Sequence, residues 1–248
     1  MTTVPMGRGT FASENGSERL FYVATTALFG VLVFAGFARS FYLHSLFGVS
    51  APAPFFVFHG ALMSGWMVLL IGQATLISAR RVQWHRWLGV FGAGYAALMV
   101  VVGCMSTLMA AAREVRAHSP MLASQFNVLA LELTQMALFG GLVSAAVALR
   151  RRGDWHKRLM ILATLCLLPN PIVRLSLLSS AEFLSHNVVL VSLWAVVVAA
   201  VGAVDSYRRR AVHPAYGIVG IGVVACMYAA YFIGRSEGWM RFAGRLVS

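Results

Sequence analysis

The chain has 248 residues, of which 59% are hydrophobic and only 11% are charged. Soluble domains are about half apolar and about one quarter charged, so this composition excludes an ordinary soluble domain and indicates a membrane protein. The 20 Lys and Arg against 8 Asp and Glu give a formal net charge of +12. Because most basic residues lie in short segments between apolar runs, they indicate contact with anionic lipid headgroups and not with nucleic acid.

The apolar runs are long enough for helices that cross a lipid bilayer. A span of roughly 30 Å of hydrocarbon requires about 20 helical residues, because every backbone polar group must be satisfied within the segment. Seven helices are predicted, at residues 20–41, 55–78, 87–112, 126–149, 159–181, 187–206 and 216–234. The sequence therefore predicts an all-α, polytopic transmembrane bundle of about seven helices.

The whole chain, 1–248, is predicted to form a single integral membrane domain. A polar N-terminus at 1–19 precedes the bundle at 20–234, and a tail follows at 235–248. The tail places Trp239, Phe242 and Leu246 among Arg241 and Arg245, a spacing typical of an amphipathic helix at the membrane surface.

The basic residues also predict the orientation of the bundle. The N-terminal segment and the second, fourth and sixth connections together hold thirteen Lys and Arg, whereas the opposite side holds five. Because the richer side faces the cytoplasm, we predict a multi-pass protein of the cell (inner) membrane with a cytoplasmic N-terminus and an outside C-terminus.

One internal repeat is present. Residues 80–88 and 151–159 align without a gap and share the pattern R-R-x-x-W-H-[RK]-x-L. Each copy lies between two predicted spans, so the repeat indicates a duplicated helical hairpin made of helices 2–3 and 4–5.

The repeat places His85 and His156 at equivalent positions. Neutral imidazole is a good axial ligand for haem iron, and two histidines on facing helices form a bis-histidine site for haem b. A second interpretation is that the W-H-[RK] motif anchors the chain at the headgroups, where Trp, His and Arg are favoured. Other metals or a proton relay would use the same imidazoles. His213, beside Pro214 in a basic loop, is given no role.

A second group of polar residues is predicted in the outer half of the bundle. His59, Glu132 and Arg174 should lie about 6, 9 and 8 Å from the outer ends of their helices. Ionisable groups inside a bilayer are costly, so each is a functional candidate. The segment Pro169-Asn170-Pro171 should interrupt its helix and make room for a ligand or water. The predicted outer cavity is lined by Arg39, His59, Glu132, Gln135 and Arg174; the alternative is a structural Glu132–Arg174 ion pair.

Three motifs in order resemble an uncharacterised family of bacterial membrane proteins. They are His59-Gly60 followed by Leu69-Leu70-x-Gly72-Gln73, then His85-Arg86-x-Leu88-Gly89, then His156-Lys157-Arg158-Leu159-Met160, with Arg174 following. The resemblance covers roughly residues 55–176 and implies a polytopic fold but no established activity.

The histidines also resemble, more weakly, those of cytochrome b-561-type electron carriers. In that family, four consecutive helices carry ligands for two haems on opposite sides of the membrane. His85 and His156 match one pair, and His59 matches one ligand of the other pair. The missing partner of His59 falls near Glu132, where this chain has no histidine.

Three classes of function follow from these residues. The first is a haem-binding electron-transfer protein whose outer cavity admits a quinone or another small molecule. The second is a transporter or a small-molecule-binding permease, and the third is a non-catalytic membrane subunit or assembly factor. The sequence contains no P-loop, GxSxG, HExxH or dinucleotide motif, and it does not indicate an oligomeric state.

Overall fold

A computed structural model describes residues 16–176 and 187–247 of the chain. Within these ranges the regular structure consists of helices and turns, without strands, which confirms the predicted all-α class. The helices are α1 Gly16–Phe37, α2 Pro54–Ser78, α3 Val82–Arg116, α4 Leu122–Ala148, α5 Gly153–Leu165, α6 Pro169–Ser176, α7 Asn187–Arg209, α8 Ile221–Ile233 and α9 Glu237–Val247.

In the described part of the chain, six segments are long and apolar enough to cross a membrane. They include the helical turns that extend α1 to Tyr42 and begin α8 at Ala215. The pair α5 and α6 is bent by 41° and makes a seventh span if it is counted as one. The predicted bundle of about seven spans is therefore confirmed. Residues 177–181 of the predicted fifth span lie outside the described residues.

Two helices begin earlier than the apolar runs predict. α3 begins at Val82 and α5 at Gly153, not at residues 87 and 159. The polar residues of the two W-H motifs therefore belong to first helical turns and not to connections. Arg, Lys and Gln are good helix formers, so these residues continue the helix. The prediction placed the helix ends where the apolar run ends and therefore left these polar residues out.

The break between α5 and α6 has a backbone cause. Pro169 has no N–H group, so the carbonyl of Leu165 loses its helical donor. Trp194 of α7 supplies a replacement, because its indole Nε1–H donates to Leu165 O at 2.7 Å. Both Trp194 and Leu165 are fully buried, so this hydrogen bond stabilises the interrupted helix inside the bundle.

The core lies between the helices, and large apolar side chains also cover the outside. Trp66 of α2 packs its ring against Phe139 of α4, with centroids 5.0 Å apart. By contrast, Val68, Val90 and Val196 are more than half exposed within spanning helices. Exposed apolar side chains along spans are expected where the solvent is lipid.

The tail forms helix α9, as the amphipathic pattern predicts. Ala243 is fully buried against the ends of α3 and α4, and Trp239 Nε1 donates to the carbonyl of Phe126 at 2.7 Å. Phe242 and Leu246 remain exposed beside Arg241 and Arg245. One side of α9 thus packs against the bundle. Its other side exposes both apolar and basic residues.

Candidate functional site

Three basic connections meet at one end of the bundle. Lys157 Nζ lies 2.6 Å from Glu18 Oε1, which joins the start of α5 to the start of α1. Arg208 donates to the carbonyl of Ser17 at 2.9 Å, which joins the end of α7 to the same place. We call this end, where α1, α3 and α5 begin, the basic end, and we call the opposite end the distal end.

The structure brings His85 and His156 together at the basic end. Each is the fourth residue of its helix, α3 or α5, as the repeat predicts. Their ring centroids are 6.2 Å apart and the ring planes are nearly perpendicular, at 87°. The duplicated motif therefore places two imidazoles face to edge across the bundle.

Both imidazoles are oriented by hydrogen bonds at Nδ1. His156 Nδ1 lies 2.8 Å from the carbonyl oxygen of Ala146, so Nδ1–H donates and Nε2 keeps its lone pair. His85 Nδ1 faces the side chain of Gln73. With its nitrogen toward His85, the Gln73 amide also donates to the His85 carbonyl at 3.2 Å and accepts from Gly89 N–H at 3.0 Å. That arrangement gives the two imidazoles complementary tautomers.

The two copies of the motif differ at their tryptophans. Trp84 is 59% exposed, as an anchor at the headgroups should be. Trp155 instead packs its ring against His213, with centroids 5.1 Å apart. The anchor interpretation therefore suits the first copy of the motif better than the second.

A buried ion pair lies beside this histidine pair, and sequence reasoning missed it. Arg158 was assigned to a basic loop, but it is fully buried in α5. Its guanidinium donates to both carboxylate oxygens of Asp205 on α7, at 2.9 and 2.8 Å. Tyr22 of α1 donates to the same carboxylate at 3.1 Å. The available signal was Asp205 itself, an acidic residue within an otherwise apolar run.

His213 is also part of the polar structure at the basic end, although the sequence analysis gave it no role. It is 4% exposed, its Nε2 lies 3.2 Å from Asp154 Oδ2, and its Nδ1 accepts from Ala215 N–H at 3.0 Å. The second bond requires a neutral ring. Burial is the main reason that the pKa of His213 lies below its usual value, and nearby Arg158 and Arg209 act in the same direction.

At the distal end, the structure brings together part of the predicted cavity. Glu132 of α4 lies near Thr107 of α3 and near Arg174 of α6. The described structure shows no ion pair between Arg174 and Glu132; the guanidinium of Arg174 lies over the ring of Phe37, 5.5 Å from the centroid. The predicted alternative, a structural ion pair between Glu132 and Arg174, is therefore not formed by direct contact.

The other predicted lining residues differ in position. Gln135 is buried one turn along α4 from Glu132, and its Oε1 has no hydrogen-bond partner among the described residues. His59 has a buried Nδ1 that is likewise unpartnered there. The described structure shows no hydrogen bond between His59 and Glu132, and Arg39 is exposed in the turn after α1. Gln135 thus lies beside Glu132 on α4, whereas Arg39 and His59 form no hydrogen bond with Glu132 in the described structure.

Comparison with known proteins adds no relative. No family model matches the chain, and no curated protein or solved structure is similar to it. Only the fold and the composition therefore define the class of this protein. It is an integral membrane protein built from helices.

Proposed function

We propose that this protein binds haem b between His85 and His156 and transfers electrons in the cell (inner) membrane. In this proposal the basic end faces the cytoplasm, so the N-terminus is cytoplasmic and the C-terminus is outside, in accord with the excess of Lys and Arg. The observation that carries the proposal is the 6.2 Å separation of the two ring centroids.

At this separation His85 and His156 would be close enough to hold one metal ion between them, since a metal–nitrogen bond measures about 2.0–2.1 Å. In the structure the rings meet face to edge at 87°, so one imidazole would have to turn before both Nε2 atoms face the same metal ion.

The contacts at Nδ1 decide how well each imidazole fits. Metal-binding histidines usually donate their other N–H to a carbonyl or carboxylate, as His156 does to Ala146. His85 meets the same requirement when the amide oxygen of Gln73 accepts its Nδ1–H, which needs the amide of Gln73 turned from the orientation described above. In the orientation described above the His85 proton is on Nε2, so His85 would bind haem only after the amide of Gln73 turns and gives up its contact with Gly89 N–H. Gln73 therefore controls whether His85 can act as a ligand.

Haem supplies one-electron chemistry, and the chain determines where electrons can enter. His85 and Thr107 are both on α3, and the 22 residues between them correspond to roughly 33 Å along the helix. A quinone near Thr107 and Glu132 would therefore be too far away for direct exchange with this haem. A quinone or another small redox partner is expected at the basic end instead.

The test is the visible spectrum of the detergent-purified protein, oxidised and dithionite-reduced, with a parallel metal analysis. We expect a Soret band that His85→Ala and His156→Ala each abolish. His118→Asn is the matched control, because it removes an imidazole at the distal end from a residue with φ of 46°, which Asn tolerates. A Soret band that survives both alanine variants excludes these ligands, and a protein that binds no haem excludes the proposal.

A second candidate is a proton-coupled permease, and the bent α5–α6 pair favours it. Discontinuous helices near the middle of the membrane are typical of substrate sites in transporters. The complementary tautomers of His85 and His156 would suit proton exchange as well as metal binding. Proton-coupled uptake into liposomes by a haem-free preparation would support this candidate, and a protein with neither property would be a structural subunit or assembly factor.

A further inference from the structure

The stripe of α4 that faces the interior carries two polar residues above an aromatic pair. Glu132 and Gln135 precede Phe139 by seven and four residues, so all three lie on one face of the helix. Phe139 packs edge to face against Trp66, and the Trp66 indole donates to Thr164 Oγ1 at 3.2 Å. This pair forms an apolar floor on the basic side of Glu132 and Gln135.

Thr107 completes the polar group from the neighbouring helix. A Cβ at Gly103 would overlap Met136, so α3 and α4 are in close contact there. Thr107 and Glu132 each lie four residues from that contact toward the distal end, because the two helices run in opposite directions. Their side chains consequently meet.

Two of these buried groups have no protein donor. Thr107 is 2% exposed and Gln135 is 3% exposed, and neither Thr107 Oγ1 nor Gln135 Oε1 is hydrogen-bonded to a residue that the structure describes. Unpaired polar groups in a membrane interior are costly by several kcal/mol. A ligand that brings N–H or O–H donors would satisfy both oxygens.

The acidic and basic groups of this site are separated. The Glu132 carboxyl group lies near Thr107, whereas the Arg174 guanidinium lies over Phe37. A carboxylate, an amide oxygen and a hydroxyl match the three N–H donors of a primary ammonium group. A guanidinium matches an anionic group through two parallel hydrogen bonds.

We propose that Thr107, Glu132, Gln135 and Arg174 form a binding site for a small zwitterion with a primary ammonium group and a carboxylate. The ammonium group binds Glu132, Gln135 and Thr107, and the ligand carboxylate binds Arg174. This site is separate from the histidine pair and does not depend on haem. It would act as the substrate site if the protein is a permease.

The first experiment measures equilibrium binding of radiolabelled glycine and alanine to the full chain in detergent, with thermal stability as a second readout. Trimethylglycine is the matched ligand control, because it keeps both charges but has no N–H donor. Glycine methyl ester keeps the ammonium group but has no carboxylate. We expect binding of the two amino acids and at least about tenfold weaker binding of both controls, since each lacks one set of charge-assisted hydrogen bonds.

The second experiment uses variants. Glu132→Gln and Arg174→Gln should each weaken glycine binding by about tenfold or more, and Arg174→Gln should remove the preference for glycine over its methyl ester. Gln135→Met tests the same site with an apolar side chain of similar size, in case a charge variant does not fold. Thr134→Val, on the same helix but outside the cluster, should bind glycine normally.

Three results would overturn the proposal. The first is that neither amino acid binds, and the second is that trimethylglycine binds as tightly as glycine. The third is that sodium chloride, without any amino acid, stabilises the protein more than choline chloride at the same ionic strength. The last result would assign the acceptor oxygens to an inorganic cation.

Discussion

Arg158 binds Asp205 through two parallel hydrogen bonds, Nε to Oδ2 at 2.9 Å and Nη2 to Oδ1 at 2.8 Å. The arginine is fully buried. The pair connects α5 to α7, and Tyr22 adds α1 to the same carboxylate. Because His156 lies two residues before Arg158, this ion pair also fixes the turn of α5 that carries the imidazole. The position of His156 thus depends on Asp205, which is distant in sequence.

Breaking this ion pair on one side should destabilise the bundle strongly. Asp205→Asn leaves the buried guanidinium without its counter-charge, and we expect a loss of about 3–5 kcal/mol in the free energy of unfolding. Thermal unfolding in detergent micelles, followed by tryptophan fluorescence, measures the change. The double variant Arg158→Leu/Asp205→Leu should be more stable than Asp205→Asn, whereas Arg151→Gln, an exposed control at the same end, should change little. A double variant less stable than the single one contradicts this account.

Gln73 should tune the proposed haem through His85. Gln73→Glu provides a permanent acceptor for His85 Nδ1–H, which makes the imidazole a stronger donor to iron. We expect a midpoint potential lower by tens of millivolts and a haem affinity at least equal to that of the natural protein. Gln73→Leu removes the hydrogen bond, and haem affinity should fall by about 10- to 100-fold. Potentiometric titration and haem transfer to an acceptor protein measure the two quantities; unchanged values in both variants would show that Gln73 does not act on a bound metal.

His213 should make the stability of the basic end depend on pH. The pKa of this buried ring lies below its ordinary value of about 6.5, so the unfolded chain binds a proton first. The stabilisation by neutral His213 is therefore complete above about pH 6.5 and is lost as the pH falls toward the lower folded-state pKa. Protonation also removes the acceptor for Ala215 N–H, while Asp154 partly offsets the added charge.

The measurement is the midpoint of thermal unfolding between pH 7.5 and 5. We expect a decrease of about 2–4 °C for each kcal/mol lost in a chain of this size. His213→Gln should be less stable at pH 7.5 but should show a smaller decrease on acidification. The same decrease in the variant and the natural protein would assign the pH dependence to other groups.

Gly36 should be required for the contact between α1 and α6. A Cβ at Gly36 would lie 2.6 Å from the carbonyl oxygen and 2.7 Å from the Cα of Pro171, in the first turn of α6. Gly36→Ala should therefore destabilise the protein by about 1–3 kcal/mol, the usual cost of overpacking. Gly94→Ala is the matched control, because no atom lies within 4 Å of its Cβ and alanine favours the helix. Equal stability of the two variants, measured by thermal unfolding, would contradict the proposed close contact.

The fold could be predicted well from the sequence because its main determinant is local. A run of about 20 apolar residues has few alternatives in a bilayer, and Pro169 removes the backbone donor that would continue α5 but is tolerated in the first turn of α6. The repeat also predicted that His85 and His156 occupy equivalent helical turns, since two copies of one hairpin begin their helices at equivalent residues.

The polar contacts could be predicted less well, because partners on different helices depend on how each helix is rotated. Arg158 was assigned to a loop with its neighbours, since charge counting does not show that one side of α5 faces Asp205. Glu132 and Arg174 were predicted at one level, but depth along a helix does not determine direct contact, and the Arg174 guanidinium lies over Phe37. Thr107 was missed altogether, because a threonine in an apolar run is common and only its neighbours make it unusual.

The continuous helix α3 sets a relation between the protein and the thickness of its bilayer. Its 35 residues extend over roughly 52 Å, whereas hydrocarbon and headgroups together measure about 40–45 Å. α3 must therefore tilt or project beyond the headgroups, and either response changes with the lipid. Longer or shorter acyl chains should thus shift the two ends of α3, and the groups attached to them, relative to the membrane surfaces. Hydrophobic mismatch would in this way act on both polar ends of the protein at once.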